Sequence, residues 1–392
     1  MMHPASSTPY VAIACGGTGG HLFPGLAVAE HLVRRGAAVA LLVSPKDVDQ
    51  QAVKAARGME VVTLPAVALQ RGRRLAFLRG FAQSWLAARR HFIQRKPAAV
   101  LAMGGFTSAP PVLVGRRMGA RTFLHESNTV PGRANRWLVR FVDHAFIGFP
   151  QAAASLRARE TTVTGTPVRG EFRPRDAGAC RAALGFDPVR PLVLVMGGSQ
   201  GATGINDLVI AALPRLAERF PKAQWLHLTG PHDDGKVRRA YAELKLRAEV
   251  RPFMQEMEQV MAAATAAISR AGASSLAELA ALRLPAILVP FPHAADDHQL
   301  YNARAFAETS AALLLPQAPD AGGRLLPLLA ELLENPVARD KMQAALARWN
   351  APRAAEQIAE IILTVLAGHA SLPAPGQGVR LDPRQIKLSA LT

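Results

Sequence analysis

Cysteine is nearly absent. Cys15 and Cys180 are the only two in 392 residues, too few for a disulfide framework or a zinc cage, so a reducing, cytoplasmic setting is expected. Long apolar runs are missing as well. Uncharged stretches such as PAAVLAMGGFTSAPPVLVG at 97–115 are broken by glycine and proline short of the roughly 20 apolar residues a bilayer requires. Residues 1–29 contain no Lys, Arg, Asp or Glu and so lack the basic segment that opens a secretory signal. Aromatic residues make up only 6% of the chain, yet 49% of it is hydrophobic, which excludes wholesale disorder.

Acidic residues are scarce in one half only. Residues 1–170 hold 22 Lys and Arg against 7 Asp and Glu, whereas residues 171–392 hold 24 against 22. Nearly all of the formal net charge of +17 therefore lies on the first half. A polyanionic partner, nucleic acid or an anionic membrane surface, would produce that asymmetry; a surplus kept for solubility gives the same count.

The length suits two domains with separate cores. Short β-rich runs (YVAIACG, AVALLVS, AAVLAMGG, RTFLHES, HAFIGF) alternate with helical apolar spacing (PGLAVAEHLVRRG, LRGFAQSWLAARRHFIQRK), and the alternation resumes after residue 190 with PLVLVMGG, AQWLHLTG, AAISR and PAILVPF. That pattern predicts an α/β protein with parallel sheets covered on both faces. YVAIACGGTGGH and PLVLVMGGSQGA are each a buried strand running into a glycine loop and then a helix. Two Rossmann-like domains follow, 1–170 and 171–350, joined near TPVRGEFRPRDAG at 166–178, with a helix at 351–370 and a loosely held tail at 371–392.

Glycine after a parallel strand lets the next helix bring its amino end close to a ligand, so N–H groups and the helix dipole can face a phosphate. Tight turns needed only for packing would use the same residues. Neither loop fits G-x-G-x-x-G followed by an acid some 20 residues on, and no GK[ST] is present, so dinucleotide oxidoreductase and P-loop ATPase are poorly supported. In SRAGASSLAE, Ser275 and Glu278 have the spacing of a capping box. The alternative is that Glu278 accepts hydrogen bonds from a ribose diol. HAADDHQLYNARAFAE then brings Asp296, Asp297, His298, Gln299 and Asn302 to one loop-to-helix junction.

Taken together, GGTGGH, HExN (His125, Glu126, Asn128), PVR (Pro167 to Arg169), GGSQGA, SRAGASSLAE and DxxQxxNA resemble the MurG family of peptidoglycan glycosyltransferases over roughly residues 10 to 365. The resemblance implies the GT-B fold, in which two Rossmann-like domains face each other across a cleft. It also implies inverting transfer of N-acetylglucosamine from UDP-N-acetylglucosamine to the polyprenyl-diphosphate-linked lipid I. Acceptor and membrane would meet the first domain, donor the second, and the helix in APRAAEQIAEIILTVLAG would return to the first.

By the same resemblance Thr18, Gly19, Gly20 and Ser199 would surround phosphates, while Ala273, Ser274, Ser275, Leu276, Ala277 and Glu278 would line the donor, Glu278 holding the ribose. Gln299 would take the sugar, Arg169 and Asn128 would reach donor groups, and Met254 would offer its backbone to uracil. His21 is the implied general base, with Glu126 next in line; a loop-ordering or phosphate-binding role for His21 remains open. The chain has HESN and TPVR where the family often shows HEQN and NPVR, so Ser127 and Thr166 inherit no role. No cofactor and no protein-bound metal is expected: HExxH is absent, and helix dipoles can substitute for the metal that an acidic pair such as Asp296-Asp297 would hold elsewhere.

Residues 71–96 carry eight Lys and Arg and no acid, with Leu75, Phe77, Leu78, Phe81 and Trp85 at helical steps. This predicts an interfacial anchor on anionic lipid; a core-facing helix with a solvated basic rim has the same spacing. The expected place is the cytoplasmic face of a bacterial inner membrane, bound peripherally, near cell-wall synthesis and division proteins. A nucleic-acid module would leave the glycine loops and Glu278 without a task. A diacylglycerol glucosyltransferase or UDP-sugar epimerase of the same fold would keep the donor motifs but need not keep HExN.

Overall fold

The computed structural model describes residues 8–46, 58–65, 74–198, 201–318 and 320–368. Ser199, residues 71–73 of the basic segment and the tail 371–392 lie outside the described residues.

Two parallel sheets organise the chain. The first has seven strands: β1 (Tyr10–Ala14), β2 (Ala38–Val43), β3 (Glu60–Thr63), β4 (Ala99–Ala102), β5 (Arg121–Glu126), β6 (His144–Ile147) and β7 (Glu160–Val163), in the order β3-β2-β1-β4-β5-β6-β7. The second has six: β8 (Leu192–Met196), β9 (Gln224–Leu228), β10 (Ala248–Arg251), β11 (Ala266–Ser269), β12 (Ala286–Leu288) and β13 (Leu313–Leu314), in the order β10-β9-β8-β11-β12-β13. Central strands such as YVAIA and LVLVM are buried throughout, as near-continuous apolar runs must be when helices cover both faces. In each sheet the order reverses beside the first strand, between β1 and β4 and between β8 and β11. That switch point is where open α/β sheets bind ligands, outside the strands' carboxyl ends.

One face of the first sheet is covered partly from the far end of the chain. Ala355, Ile358, Ala359, Ile361 and Ile362 of helix Ala354–Leu366 are buried in the first core with Leu22, Leu26 and Ala29 of helix Gly19–Arg34. Arg35 fastens the junction through Glu356 at 2.8 Å and Glu360 at 2.9 Å. The opposite face packs under helix Arg74–Gln94, where Ala88 and Phe92 are buried. Among the described residues no helix is long and apolar enough to cross a membrane.

The basic helix departs from the anchor expected of it. Its apolar residues divide between two faces. Phe81 and Trp85 pack against the first core, and Phe77 joins them in an aromatic row that also meets Phe106 edge-on. Leu75 and Leu78 are 83% and 61% exposed, and Leu86 and Ile93 share that outward side at 51% and 58%. The aromatics turn inward because their large area is best buried beside the sheet. The outward apolar stripe is therefore aliphatic, with exposed Arg79, Arg89 and Arg90 along it.

Candidate active site

The loops at the carboxyl ends of the two sheets meet in a cleft. On the first side β1 runs into the bare stretch Cys15–Thr18. A side chain at Gly16 would place its Cβ 2.4 Å from the backbone nitrogen of Ser44, so only glycine lets the loop pass the end of β2. Helix Gly19–Arg34 then begins at Thr18 with no side-chain cap, which leaves its positive end for a ligand.

His21 sits in that first turn, its Nδ1 3.4 Å from the Thr18 hydroxyl. Its imidazole rests on the glycine pair after β4. A Cβ on Gly104 would lie 2.9 Å from His21 Nε2, and one on Gly105 would lie 3.3 Å from Cε1. Gly104 also has φ of +123°, a conformation side chains oppose. Sequence reasoning passed over this pair as the tail of AAVLAMGG. The available signal was a second glycine pair ending the strand next to β1, at the switch point.

In the HExN segment His125 and Glu126 work inward, and only Asn128 reaches the cleft. His125 is fully buried; its Nε2–H donates to the Gly165 carbonyl at 3.1 Å and its Nδ1 accepts from the Ser127 hydroxyl at 3.1 Å. Burial pushes its pKa down to about 4, so the ring is neutral. Glu126, 2% exposed, accepts from Asn128 N and Nδ2 through Oε1, and from Gly132 N and Asn135 Nδ2 through Oε2, at 2.8 to 3.0 Å. Its carboxylate winds the loop after β5 around itself. Asn128 passes the contact on, accepting from Asn302 Nδ2 at 3.0 Å.

On the second side β11 leads through Arg270 to Gly272 into helix Ala273–Leu282. The helix is capped by Gly272 without a side-chain bond, so Ser275 lies inside its first turn and the capping-box geometry does not form. The Glu278 carboxyl makes no hydrogen bond among the described residues. The residue is half-buried, and desolvation pushes its carboxyl up to about 7, with Arg169 pulling it down and Glu258 adding to the rise. Arg169 lies between Phe23, 5.0 Å away, and Phe172, 5.3 Å away, and its buried Nε has no partner. A carboxyl from the second domain and a guanidinium from the hinge, each with unmet hydrogen-bonding capacity, thus lie close enough to act on each other electrostatically. Ala273 and Leu276 are buried in the second core, so they anchor the helix while Ser274, Ser275, Ala277 and Glu278 remain partly accessible.

The two uncapped helix ends touch: Ser274 donates through Oγ to the Gly20 carbonyl at 3.1 Å. Beside them Asn302, fully buried, accepts from Thr129 N and Oγ1, both at 2.9 Å, and donates to Asn128 Oδ1 at 3.0 Å and the Ala271 carbonyl at 3.2 Å. Every bond that residue type can make crosses or borders the cleft. Asp296 accepts from Arg133 at 2.8 Å and from Arg136 at 2.6 Å, so this acid joins the two halves. Gln299 accepts from Phe291 N at 3.0 Å through Oε1, and Met254 lies half-buried in the loop after β10.

One residue carrying charge was missed. Arg270 is 7% exposed, donates to the Val289 and Pro290 carbonyls at 2.9 and 3.1 Å, and is held by desolvation at a pKa of about 10. It fixes the loop after β12. The letters SRAG gave no sign that its partners would be carbonyls.

The glycosyltransferase family 28 N-terminal domain matches residues 11–147 and the family's C-terminal domain residues 192–358. A UDP-N-acetylglucosamine–N-acetylmuramyl-(pentapeptide) pyrophosphoryl-undecaprenol N-acetylglucosamine transferase from Anaeromyxobacter dehalogenans is 35% identical over 376 residues, covering 90% of this chain and 92% of that protein. Acinetobacter baumannii MurG superposes with a TM-score of 0.70 at 27% identity over 91% of this chain and 99% of its own. A UDP-GlcNAc 2-epimerase from Neisseria meningitidis shares the GT-B fold alone, at a TM-score of 0.68 and 14% identity over 91% and 100% of the two chains. On these similarities, which span both sheets and the cleft between them, the chain belongs to glycosyltransferase family 28, among the pyrophosphoryl-undecaprenol N-acetylglucosamine transferases.

Proposed function

We propose that the cleft transfers N-acetylglucosamine from UDP-N-acetylglucosamine to a hydroxyl of the undecaprenyl-diphosphate-linked muramoyl-pentapeptide, giving lipid II with inversion at the anomeric carbon. The observation that carries this reading is the meeting of two uncapped helix ends at Ser274 and Gly20, with His21 on one side and Glu278 on the other. Such ends favour negative charge, and a diphosphate leaving group is where charge develops.

In the transfer, His21 removes the proton of the acceptor hydroxyl as that oxygen bonds to the anomeric carbon, and the bond from this carbon to the UDP oxygen breaks with its electron pair leaving on UDP. Helix Ala273–Leu282, Arg169 and Arg270 stabilise that departing charge. Glu278 binds the ribose hydroxyls, Gln299 keeps its amide nitrogen for the sugar, and the Met254 backbone lies by the base. Glu126 positions the acceptor loop instead of moving protons, because all its acceptor capacity is spent on four donors. Thr18, Gly19 and Gly20 face the acceptor's phosphates. The aliphatic stripe of helix Arg74–Gln94 holds the acceptor side on an anionic membrane, at the cytoplasmic face where nucleotide sugars are made.

The test is incubation of labelled UDP-N-acetylglucosamine with a short-chain lipid I analogue. Label should move to the lipid product and UDP should appear in equal amount. Formation of an epimerised sugar nucleotide without acceptor, or label transfer to diacylglycerol instead, would overturn the reading.

A further inference from the structure

Behind the second domain, at the end of its sheet opposite the cleft, lies a cavity of about 390 Å³. It opens where β11 and β12 begin, next to Thr265 and Pro285, and is also lined by Arg175, Arg181, Arg283 and Arg339 and by Gln343. No Asp or Glu is among the lining residues. This is unusual for the half of the chain that holds 24 basic against 22 acidic residues. Arg181 forms the floor: its three nitrogens donate to the Ala263 and Pro188 carbonyls and to the Thr265 hydroxyl at 2.8 to 3.0 Å, and burial lowers its pKa. The two acids near it are already engaged, Asp176 as the cap of helix Ala177–Ala183 and Asp187 with Val189 N and Arg190. Arg339 uses Nη1 on the Leu332 and Leu333 carbonyls, and the Arg283 guanidinium makes no hydrogen bond or ion pair among the described residues.

We propose that this cavity is a binding site for a small, multiply charged anion of the phosphate-ester class. Four arginines line one recess that holds no carboxylate; Arg175 spends only Nη2 on the Glu171 carbonyl and the Arg283 guanidinium has no acceptor, and guanidinium forks match phosphate oxygens bidentately. The site is distinct from the donor cleft. Helix Ala273–Leu282 has its amino end in the cleft and reaches the cavity at Leu282 and Arg283, which separates the two by about 15 Å at 1.5 Å per residue.

Pyrophosphate is the probe, titrated by calorimetry into protein already saturated with UDP so that the donor site is filled. Pyrophosphate binding that R175E/R283E weakens at least tenfold is expected, while UDP affinity, melting temperature and any uptake at the acceptor-phosphate side of the cleft stay unchanged. If the double variant fails to fold, R283Q alone should weaken pyrophosphate about threefold. No binding beyond the UDP-filled cleft, or equal affinity in the charge-reversed protein, would overturn the proposal. So would binding of an acidic peptide in place of pyrophosphate, since that would make the cavity a protein contact.

Discussion

Glu278 shows how a residue's chemistry depends on what fails to bond to it. Its spacing from Ser275 suits a capping box, but the helix starts two residues earlier and the carboxyl is left half-buried with a pKa of about 7. Because the folded pKa lies above the ordinary value of 4.5, the folded state binds the extra proton between those limits. Stability from this group is full below about pH 4.5 and is lost as pH rises toward 7. A diol needs the carboxylate, so UDP affinity should rise with pH up to about 7 and then level off, with proton release on binding near neutrality. Glu278→Gln should flatten both curves, and calorimetry in buffers of different ionisation enthalpy reads the proton directly. Glu278→Ala should weaken UDP-N-acetylglucosamine by about 1.5–3 kcal/mol, the range for a charge-assisted bond; an unchanged donor KM would end the ribose assignment. Across the cleft, His21→Ala should lower kcat about 100-fold or more with UDP binding intact. Gly104→Ala should mimic it in part, because its methyl group occupies the space of the imidazole. Motif spelling singled out His21 and Glu278 as candidates, but Gly104 became visible only through the strand order that sets β4 beside β1.

At the scale of elements, the segment after β12 is a latch between the halves. Asn302→Ala would strand the Thr129 N–H, the Asn128 amide oxygen and the Ala271 carbonyl in a buried place, costing about 1–3 kcal/mol for each group left unmet. A melting temperature lower by several degrees is expected, together with a raised donor KM, since Ala271 leads directly into helix Ala273–Leu282, which is proposed to face the nucleotide. Asp296→Ala breaks two ion pairs whose arginines are 69% and 40% exposed, and exposed pairs contribute about 0–1 kcal/mol, so its effect on melting should be small. The sequence brought Asp296, Gln299 and Asn302 to one junction but could not say what Asp296 and Asn302 face, because their partners across the cleft are 160 or more residues away. Periodicity has a similar limit in helix Arg74–Gln94. It reveals apolar stripes, but which stripe is covered depends on the neighbouring sheet.

Over the whole molecule, alternation of strand and helix made both Rossmann-like halves readable, while the return of helix Ala354–Leu366 to the first core is a long-range choice made by packing and by Arg35. Charge is also arranged at this scale. The first half carries the basic excess, and its exposed aliphatic stripe offers Leu75, Leu78, Leu86 and Ile93 beside Arg79, Arg89 and Arg90. Each cation near an anionic surface contributes about 1 kcal/mol, and leucines entering the headgroup boundary add an apolar term that salt does not screen. Binding to anionic vesicles should therefore be reversible, should weaken as ionic strength rises, and should retain a residue of affinity at high salt. Leu75→Ser/Leu78→Ser/Leu86→Ser should lose that residue with melting temperature and UDP binding preserved, because these side chains support no core. Phe77→Ser/Phe81→Ser/Trp85→Ser should do the opposite, melting early through loss of the packed aromatic row. Cosedimentation and thermal melting of both variants separate the two faces. If the leucine variant binds vesicles like the parent protein, the membrane must be met by another part of the basic half.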